Sequence, residues 1–246
     1  NEVIPADSEL EEVYRALVLG AKDYINKNKF PGVLIGSSGG IDSALTAVIA
    51  ADAIGSENVR RFMMPFKFTS DMSVEDANKL AENLGIKHSI IPIGEIYDSF
   101  QSSLECEFKG LEPDITEENL QSRCRGVILM ALSNKSGEIV LTTGNKSETA
   151  VGYSTLYGDT AGGFGVLKDV PKTLVYELAR YRNTISKVIP ERIIERPPSA
   201  ELAPDQQDSD SLPDYDTLDK IIEPYVEQDK SKKEIEESGI ERSILN

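Results

Sequence analysis

One stretch decides the fold: Gly36-Ser37-Ser38-Gly39-Gly40-Ile41-Asp42-Ser43. An apolar run at 33–35 precedes it, and an almost wholly apolar run at 44–51 follows it. The pattern predicts a glycine-rich turn, here called the phosphate turn (residues 36–43), between a buried strand and a buried helix. Such a turn aims the unpaired backbone N–H groups of the first helical turn at one point. The helix dipole also favours an anion there, above all a phosphate group.

The side chains of the phosphate turn suit a nucleotide with a bound cation. Gly39 and Gly40 allow positive φ angles and a close approach of the backbone to a ligand. Ser38 and Ser43 offer hydroxyl donors, whereas the Asp42 carboxylate would repel a phosphate unless it held a divalent cation that bridges to the phosphates. The turn lacks the lysine that closes a Walker loop. An ordinary glycine-rich connection is the alternative interpretation.

Composition narrows the class of protein. The chain has 246 residues, of which 39% are hydrophobic, so it is long enough for one α/β domain with a sizeable core. The formal net charge of −16 argues against nucleic acid or an acidic membrane as a partner. No apolar run is long enough to span a bilayer, and no signal peptide is visible. Two cysteines, Cys106 and Cys124, are too few for a disulfide framework and indicate a reducing compartment.

Helical and strand patterns alternate along the chain. The predicted strands cover 33–35, 58–64, 87–92 and 139–142. The predicted helices begin at Ser8, after the phosphate turn, at Ser73, at 93, at Thr116, at Asp169 and at Tyr215. Two stretches lack a helical or strand pattern: 152–165, rich in glycine and aromatic residues, and 196–214, rich in proline and acidic residues.

This alternation predicts a single doubly wound α/β domain over residues 1–246, with a mainly parallel sheet and helices on both faces. Ligands of such sheets bind beyond the carboxyl ends of the strands, where the strand order reverses. The phosphate turn and the stretch 143–148 both follow strands directly, so both should open onto that edge. His88, the only histidine, begins a strand and is expected to be structural.

The phosphate turn resembles the Ser-Gly-Gly-x-Asp-Ser loop of the ATP pyrophosphatases, whose fold is the Rossmann-like adenine nucleotide alpha hydrolase type. Further motifs, in family order from about residue 11 to 233, resemble the glutamine-dependent NAD synthetases. The motifs that carry this resemblance are Glu118-Asn119-Leu120-Gln121-Ser122-Arg123, Leu141-Thr142-Thr143-Gly144-Asn145-Lys146-Ser147-Glu148, Ala150-Val151-Gly152-Tyr153, Tyr157-Gly158-Asp159, Lys168-Asp169-Val170-Pro171-Lys172 and Pro198-Ser199-Ala200-Glu201-Leu202.

The resemblance implies a cytoplasmic carbon–nitrogen ligase that catalyses the last step of NAD biosynthesis. In that reaction the nicotinate carboxylate of deamido-NAD attacks the α-phosphate of ATP and releases pyrophosphate. Ammonia then attacks the adenylated carboxylate, and NAD and AMP are formed. Such nucleotidyl transfers depend mainly on positioning and charge stabilisation, so Mg²⁺, backbone N–H groups and lysines should matter more than a covalent nucleophile.

Roles carry over position by position. The expected catalytic residues are Asp42, Lys172 and Asp159, of which Asp159 would help to deprotonate ammonium. Mg²⁺ would be held by Asp42 and Glu148, and deamido-NAD by Asn119, Arg123 and Glu148. The expected ATP-binding residues are Gly36, Ser37, Ser38, Gly39, Gly40, Ile41, Asp42, Ser43, Thr143, Lys172 and Ser199. Singly, each residue outside the phosphate turn also has an ordinary structural explanation, such as a turn former at Asp159 or a solvated lysine at Lys172.

Two departures from the family pattern add expectations. Nothing in the chain matches the amino-terminal glutaminase domain, and the first residue is Asn1. The chain is therefore expected to be a synthetase portion that uses free ammonia, with the glutaminase domain as ammonia donor in the full-length enzyme. The family's basic segment near the carboxyl terminus is not matched at 238–246. A homodimer is also implied, and the apolar stripe of the helix that begins at Ser8 is a candidate interface.

The sequence leaves two other functional classes of protein open. The first is another adenylating ligase or a thiouridylase that shares the turn, although a tRNA-modifying enzyme should be basic. The second is a nucleotide-binding module without catalysis, which should lack a second acidic ligand such as Glu148. Conversion of ATP to AMP, measured with and without deamido-NAD, separates all three.

Overall fold

A computed structural model of the chain describes residues 8–237, 239, 240 and 244. The five strands of the sheet are β1 (Val33–Ser37), β2 (Val59–Met63), β3 (Lys87–Ile90), β4 (Ile139–Thr142) and β5 (Phe164–Gly165). The α-helices are α1 (Glu9–Lys27), α2 (Ile41–Ile54), α3 (Asp71–Leu84), α4 (Gly94–Leu104), α5 (Ile115–Ser136), α6 (Lys146–Ala150), α7 (Lys172–Ile185), α8 (Glu191–Glu195), α9 (Tyr215–Ile222) and α10 (Lys232–Glu237).

The sheet is parallel throughout, with the strand order β3-β2-β1-β4-β5. Val33 of β1 is in register with Val59 of β2 on one side and with Ile139 of β4 on the other. The order reverses between β1 and β4, so this pair forms the switch point that the sequence predicts as the ligand edge. The predicted doubly wound, mainly parallel Rossmann-like architecture is confirmed.

Alternate strand residues serve two cores. Val33, Ile35 and Leu141 pack with α1, α2 and α7 in the larger core. Leu34 and Val140 pack with α5 on the other face, together with further apolar residues. Because successive side chains of a strand point to opposite faces, continuous apolar strands indicate a sheet covered on both sides.

Helix α1 uses its apolar stripe within the chain. Tyr14, Ala21 and Ile25 are buried in the larger core, and the half-buried Val13 and Leu17 pack against it. Contacts of α1 with α2 and α7 account for this burial. The stripe is therefore not free for a second copy of the chain, and the sequence argument that placed a dimer interface there is wrong, although the dimer itself stays a prediction.

Three predicted helix starts, those of α3, α5 and α7, are wrong by one to three residues, and the first two are explained by their caps. Helix α3 begins at Asp71, because its N-cap is Ser70 and not the predicted Ser73. The Ser70 hydroxyl accepts the capping hydrogen bond from the N–H group of Ser73 at 3.2 Å. Helix α5 begins at Ile115, because Asp114 rather than Thr116 forms its N-cap and Glu117 completes a capping box. Each segment offers several capping side chains, so the sequence pattern indicated a helix but not which residue caps it.

The two stretches without a pattern are largely irregular. The 152–165 loop ends in β5, which is only two residues long and carries no strand pattern in the sequence. The 196–214 segment contains a single short 3₁₀ helix, Asp208–Asp210. Helix α7 begins at Lys172, after Pro171 and later than the predicted Asp169. Asn1 and most of 238–246 lie outside the described residues. Within the described ranges, no helix has the length and apolar character needed to cross a membrane.

Candidate nucleotide site

Of the two glycines for which the sequence predicts a positive φ angle, Gly39 has one and Gly40, at −88°, does not. Gly39 has a φ angle of +77°, and a Cβ atom there would lie 2.7 Å from the backbone oxygen of Ser73. Gly40 caps α2 without a side-chain hydrogen bond to the helix. The first N–H groups of α2 are therefore left for a ligand. Ser43 donates to the Gly40 carbonyl at 3.1 Å, which supports the turn from within.

A cluster of one ammonium and two carboxylate groups lies beside the phosphate turn. Lys172, the first residue of α7, is 2% exposed, and its Nζ lies 2.6 Å from Asp42 Oδ2 and 2.9 Å from Glu148 Oε1. Asn145 donates to the other oxygen of Asp42 at 2.9 Å, and the Lys172 Nζ also lies 5.1 Å from the ring centroid of Tyr215. We call Asp42, Glu148 and Lys172 the charge centre. It brings together three predicted site residues that are far apart in sequence.

The groups of the charge centre influence each other's protonation. Burial, and then the neighbouring Asp42 carboxylate, raise the pKa of Glu148 to about 7. Burial alone would lower the pKa of Lys172, but Asp42 and Glu148 outweigh that effect and hold this pKa well above its usual value. Lys172 therefore remains charged at neutral pH, so it can offset negative charge but cannot serve as a base.

The charge centre fits a cation that arrives with a nucleotide. The Asp42 and Glu148 side chains are 16% and 18% exposed, so their oxygens can be reached from the cleft. Across the described ranges, no group of three or more Asp, Glu, His or Cys residues is arranged to hold a metal. Mg²⁺ commonly uses one or two protein carboxylates and completes its shell with water and phosphate oxygens. The donor set therefore fits Mg²⁺ bound together with phosphates, not a closed protein cage.

A cleft of about 240 Å³ opens at the switch point between β1 and β4. Its wall includes Ser37, Ser38 and Gly40 of the phosphate turn, and both Asp42 and Thr143. Glu148, Asp159, Lys172 and Ser199 also line it. Most of the predicted ATP-binding and catalytic residues therefore share one cavity, as parallel strands that end at the same edge require.

Asn119 and Arg123 lie outside the lining of this cleft. The Asn119 side-chain oxygen accepts a hydrogen bond from the Thr155 hydroxyl at 2.7 Å. Arg123 Nε donates to the Leu156 carbonyl at 3.2 Å. Both residues therefore hold the 152–165 loop against α5, next to the predicted nucleotide cleft.

Two predicted site residues also have structural partners. The Asp159 carboxylate accepts from the Thr155 N–H group at 2.8 Å, and burial raises its pKa. The Ser199 hydroxyl donates to the Gln206 carbonyl and accepts from the Glu201 N–H group at 3.1 Å. These contacts shape the two irregular stretches and leave both side chains on the cleft wall.

The sequence interpretation missed residues that support the site from behind. Asn145 is fully buried; it caps α6 by accepting from Glu148 N–H at 3.0 Å while it also donates to Asp42. Arg196 donates to the Gly39 carbonyl at 3.0 Å and to the Ser73 hydroxyl at 2.8 Å. An Asn three residues before a Glu is a recognisable capping signal, whereas the partners of Arg196 are more than 120 residues away in sequence.

One turn of α5 holds both irregular stretches. Asn119 and Ser122 bond the 152–165 loop, the latter by accepting from Asp159 N–H at 3.0 Å. Glu118 accepts from Gln206 at 3.0 Å and Gln121 donates to the Leu202 carbonyl at 2.9 Å, so both bond the 196–214 segment. We call residues 118–122 the α5 bridge.

The parallel sheet with its cleft at the strand switch defines the class: an α/β protein of Rossmann-like architecture. Comparison with known proteins identifies the family. The model of the NAD synthase family matches residues 13–246, and the chain belongs to this family.

Three individual proteins illustrate the likeness. The chain is 55% identical over 243 residues to a glutamine-dependent NAD(+) synthetase of Acinetobacter baylyi, covering 98% of this chain and 45% of that protein. A solved glutamine-dependent NAD+ synthetase of Acinetobacter baumannii, in complex with ADP, superposes with a TM-score of 0.78 at 49% identity, over 100% of this chain and 44% of that one. A solved NMN synthetase of Francisella tularensis superposes with a TM-score of 0.80 at 28% identity, over 94% of this chain and 91% of that one. The chain thus spans less than half the length of the curated relative.

Proposed function

We propose that this chain amidates deamido-NAD to NAD in the last step of NAD biosynthesis, consuming ATP and ammonia and releasing AMP and pyrophosphate. The observation that carries the proposal is the charge centre beside the phosphate turn, in a chain matched by the NAD synthase model over residues 13–246. A binding module without catalysis would not need a buried lysine held between two carboxylates.

The proposed division of labour follows the cleft. The backbone N–H groups of the phosphate turn bind the phosphates of ATP, with Ser199 nearby, and Thr143 faces the adenosine end. Lys172 is charged and offsets the charge that develops as pyrophosphate leaves. Asp42 and Glu148 would hold Mg²⁺, which when bound neutralises phosphate charge. Asn119, Arg123 and Glu148 would position deamido-NAD beside the α-phosphate.

Activation by adenylation explains why no covalent nucleophile is needed. A carboxylate resists attack because oxide is a poor leaving group, whereas the mixed anhydride releases AMP. Ammonia must attack as the uncharged molecule, and Asp159, with its pKa raised by burial, is the proposed acceptor for the proton of ammonium. A protein that supplies position and charge is sufficient for both steps.

The nitrogen source is part of the proposal. The relatives are named glutamine-dependent, and we propose that a glutaminase domain supplies ammonia to this domain in the full-length enzyme. The 246-residue chain should itself use free ammonia. A homodimer and a cytoplasmic location belong to the same proposal.

The test is an assay of NAD formation by the purified chain from deamido-NAD, ATP and Mg²⁺, with either ammonium or glutamine as nitrogen donor. Ammonium should support NAD and AMP formation in equal amounts, and glutamine alone should not. At limiting total ammonium, the rate should rise from neutral to mildly alkaline pH because the uncharged fraction grows. AMP formed without deamido-NAD would contradict the proposal, as would robust synthesis from glutamine.

A second candidate product is NMN. The Francisella tularensis NMN synthetase is matched over 91% of its length, so a synthetase of this size with a mononucleotide product has a comparable fold. The same assay with the deamidated mononucleotide in place of deamido-NAD separates the two. A higher kcat/KM for the mononucleotide would assign NMN synthesis instead.

A further inference from the structure

Arg61 is a charged residue in the middle of the sheet. It lies on β2 and is 0% exposed, next to His88 of β3 in the strand register. Its neighbour Arg60 points to the opposite face, where it forms a 2.6 Å ion pair with Glu138. Arginine is rarely buried completely unless a carboxylate accompanies it, so the partners of Arg61 need an explanation.

The partners of Arg61 are all neutral. Nη2 donates to the Ser37 hydroxyl at 2.6 Å, and Nη1 donates to the Ala77 carbonyl at 3.2 Å. Nε has no hydrogen-bond partner among the described residues. Burial lowers the pKa of Arg61 to about 10, with no carboxylate contributing, so the group still carries its charge at neutral pH. His88 accepts no hydrogen bond from Arg61, since neither of its buried ring nitrogens has a partner within the part of the chain that the structure describes.

The location of this charge matters because Ser37 belongs to the phosphate turn and lines the cleft. Of the other cations that line the cleft, Lys172 lies between Asp42 and Glu148, and an Arg196 nitrogen lies 3.8 Å from a Glu201 oxygen. Arg125 also lines the cleft, and its Nε donates to the Met64 carbonyl at 3.0 Å. The whole chain carries a net charge of −16. An anion at the turn would therefore meet positive charge from Arg61 that no protein carboxylate has cancelled, in a region where solvent screens little.

We propose that Arg61 is a positioning residue for nucleotide phosphates: it fixes the Ser37 hydroxyl and places an uncompensated positive charge behind the phosphate turn, so that a diphosphate group bound there supplies the missing counter-charge. This inference rests on the proposed function, because it assumes that ATP phosphates occupy the turn. It assigns to β2 a part in phosphate binding that none of the predicted site residues provides.

The experiment measures the binding of two probes, inorganic pyrophosphate and adenosine, by calorimetry. R61Q removes the charge but keeps an amide donor, whereas R61K keeps the charge. R60Q is the matched control, since it makes the same change one residue earlier on the opposite face. R61Q should bind pyrophosphate about tenfold more weakly or worse and adenosine as the wild type does. R61K should stay within about threefold of the wild type and R60Q should equal it.

The selectivity for phosphate is the decisive readout. A merely structural role of Arg61 would weaken pyrophosphate and adenosine binding together, and that result would overturn the proposal, as would unchanged pyrophosphate binding by R61Q. Should R61Q fail to fold, S37A carries the test, because it removes the hydroxyl through which Arg61 acts. S37A should bind pyrophosphate several-fold more weakly than the wild type and adenosine equally well. Pyrophosphate binding by S37A that equals the wild type's would overturn the proposal.

Failure of the proposed function is a separate result. If R61Q binds pyrophosphate more weakly than the wild type but the wild type forms neither NAD nor NMN, the synthetase assignment is refuted and the role of Arg61 stands. If the wild type makes NAD but R61Q binds pyrophosphate as tightly as the wild type does, the role of Arg61 is refuted and the synthetase assignment stands.

Discussion

Asp42 occupies the point where the backbone of α2 and the charge centre meet. It accepts one hydrogen bond from Lys172 and one from Asn145, at 2.6 and 2.9 Å. D42N would keep the size of the side chain but remove its charge and turn an acceptor into a donor that faces the Lys172 ammonium. We expect NAD formation to fall about a hundredfold or more, because Lys172 and the proposed Mg²⁺ both depend on this carboxylate.

The measurement for Asp42 is the dependence of turnover on Mg²⁺ concentration. D42N should need more Mg²⁺ for half-maximal rate, as well as being slow. D23N is the control, since Asp23 is an exposed residue of α1 whose partner is Lys27 on the same helix. Normal Mg²⁺-dependent turnover by D42N would show that this residue is not a metal ligand.

His88 illustrates how a buried site can cost stability. Burial, and then the charge of Arg61, lower the pKa of His88 to about 4, below the usual value of 6.5. Between these two values the unfolded chain binds a proton that the folded chain does not, so His88 makes the fold less stable as the pH falls from 6.5 towards 4. H88F removes this proton linkage and the two unpartnered ring nitrogens.

The expected effect of H88F is therefore pH-dependent. The variant should gain about 1 kcal/mol in the free energy of unfolding at pH 7, because it removes the two buried ring nitrogens of His88, which have no hydrogen-bond partner among the described residues. Its advantage over the wild type should be larger at pH 5. Urea unfolding at both pH values measures the difference between the two proteins, and a difference that stays constant or shrinks at pH 5 would exclude this account.

Among the elements, the junction of α1, α2 and α7 depends on one carboxylate. Asp52 of α2 receives a bidentate pair of hydrogen bonds from Arg182 of α7, at 2.7 and 3.0 Å, and one from the Tyr14 hydroxyl of α1. Arg182 is 8% exposed, and its Nη1 donates to the neutral carbonyl and hydroxyl oxygens of Ser186, so loss of Asp52 would leave a nearly buried cation without its counter-charge. D52A should lower the free energy of unfolding by about 2 kcal/mol.

Thermal and denaturant unfolding test the role of Asp52. D23A is the matched control, because the Asp23–Lys27 pair is exposed and lies within one helix. Its removal should change stability by less than about 0.5 kcal/mol. Similar losses in D52A and D23A would mean that the junction does not depend on this network.

Elements whose signals are local could be predicted from the sequence, and elements that depend on distant partners could not. The apolar run before the phosphate turn and the N-cap residue Ser8 predicted β1 and α1 almost as observed. The strand β5 was not predicted, because two residues are too few to carry a periodic pattern. It is defined only by its pairing with β4. Boundaries of α3 and α5 depended on which of several polar side chains caps the helix.

The same distinction holds for the site. Asp42 belongs to a local motif, and resemblance to a family assigned Lys172 and Glu148. That Lys172 lies between the two carboxylates is a fact of tertiary structure, since its partners are 130 and 24 residues away. Arg61 was visible in the sequence only as a strand residue, because nothing in a strand pattern reveals that a charged side chain reaches the Ser37 hydroxyl.

For the whole molecule, we predict a dimer that uses α5 rather than α1. Exposed apolar side chains occur on α5, where Val127 is 62% exposed, and on the 152–165 loop that packs on it, with Leu156 at 67% and Tyr157 at 80%. Sedimentation at micromolar concentration with deamido-NAD present should show a dimer, because covering these apolar side chains is favourable.

V127E should shift the sedimentation result towards monomer, since association would bury its carboxylate. L19E provides the control, because Leu19 on α1 is similarly exposed, at 61%, but lies on another surface. A wild-type monomer under these conditions would contradict the dimer, and dissociation by L19E instead of V127E would move the interface to α1.

The α5 bridge has a consequence for the order in which substrates come and go. Its four side chains bond the 152–165 loop and the 196–214 segment within little more than one helical turn. Both stretches line the cleft and both are bonded to the α5 bridge. A movement of one stretch that releases a substrate would therefore disturb the hydrogen bonds that hold the other. Each substrate should therefore lengthen the residence time of its companion, and by reciprocity the gain in affinity should be equal for both.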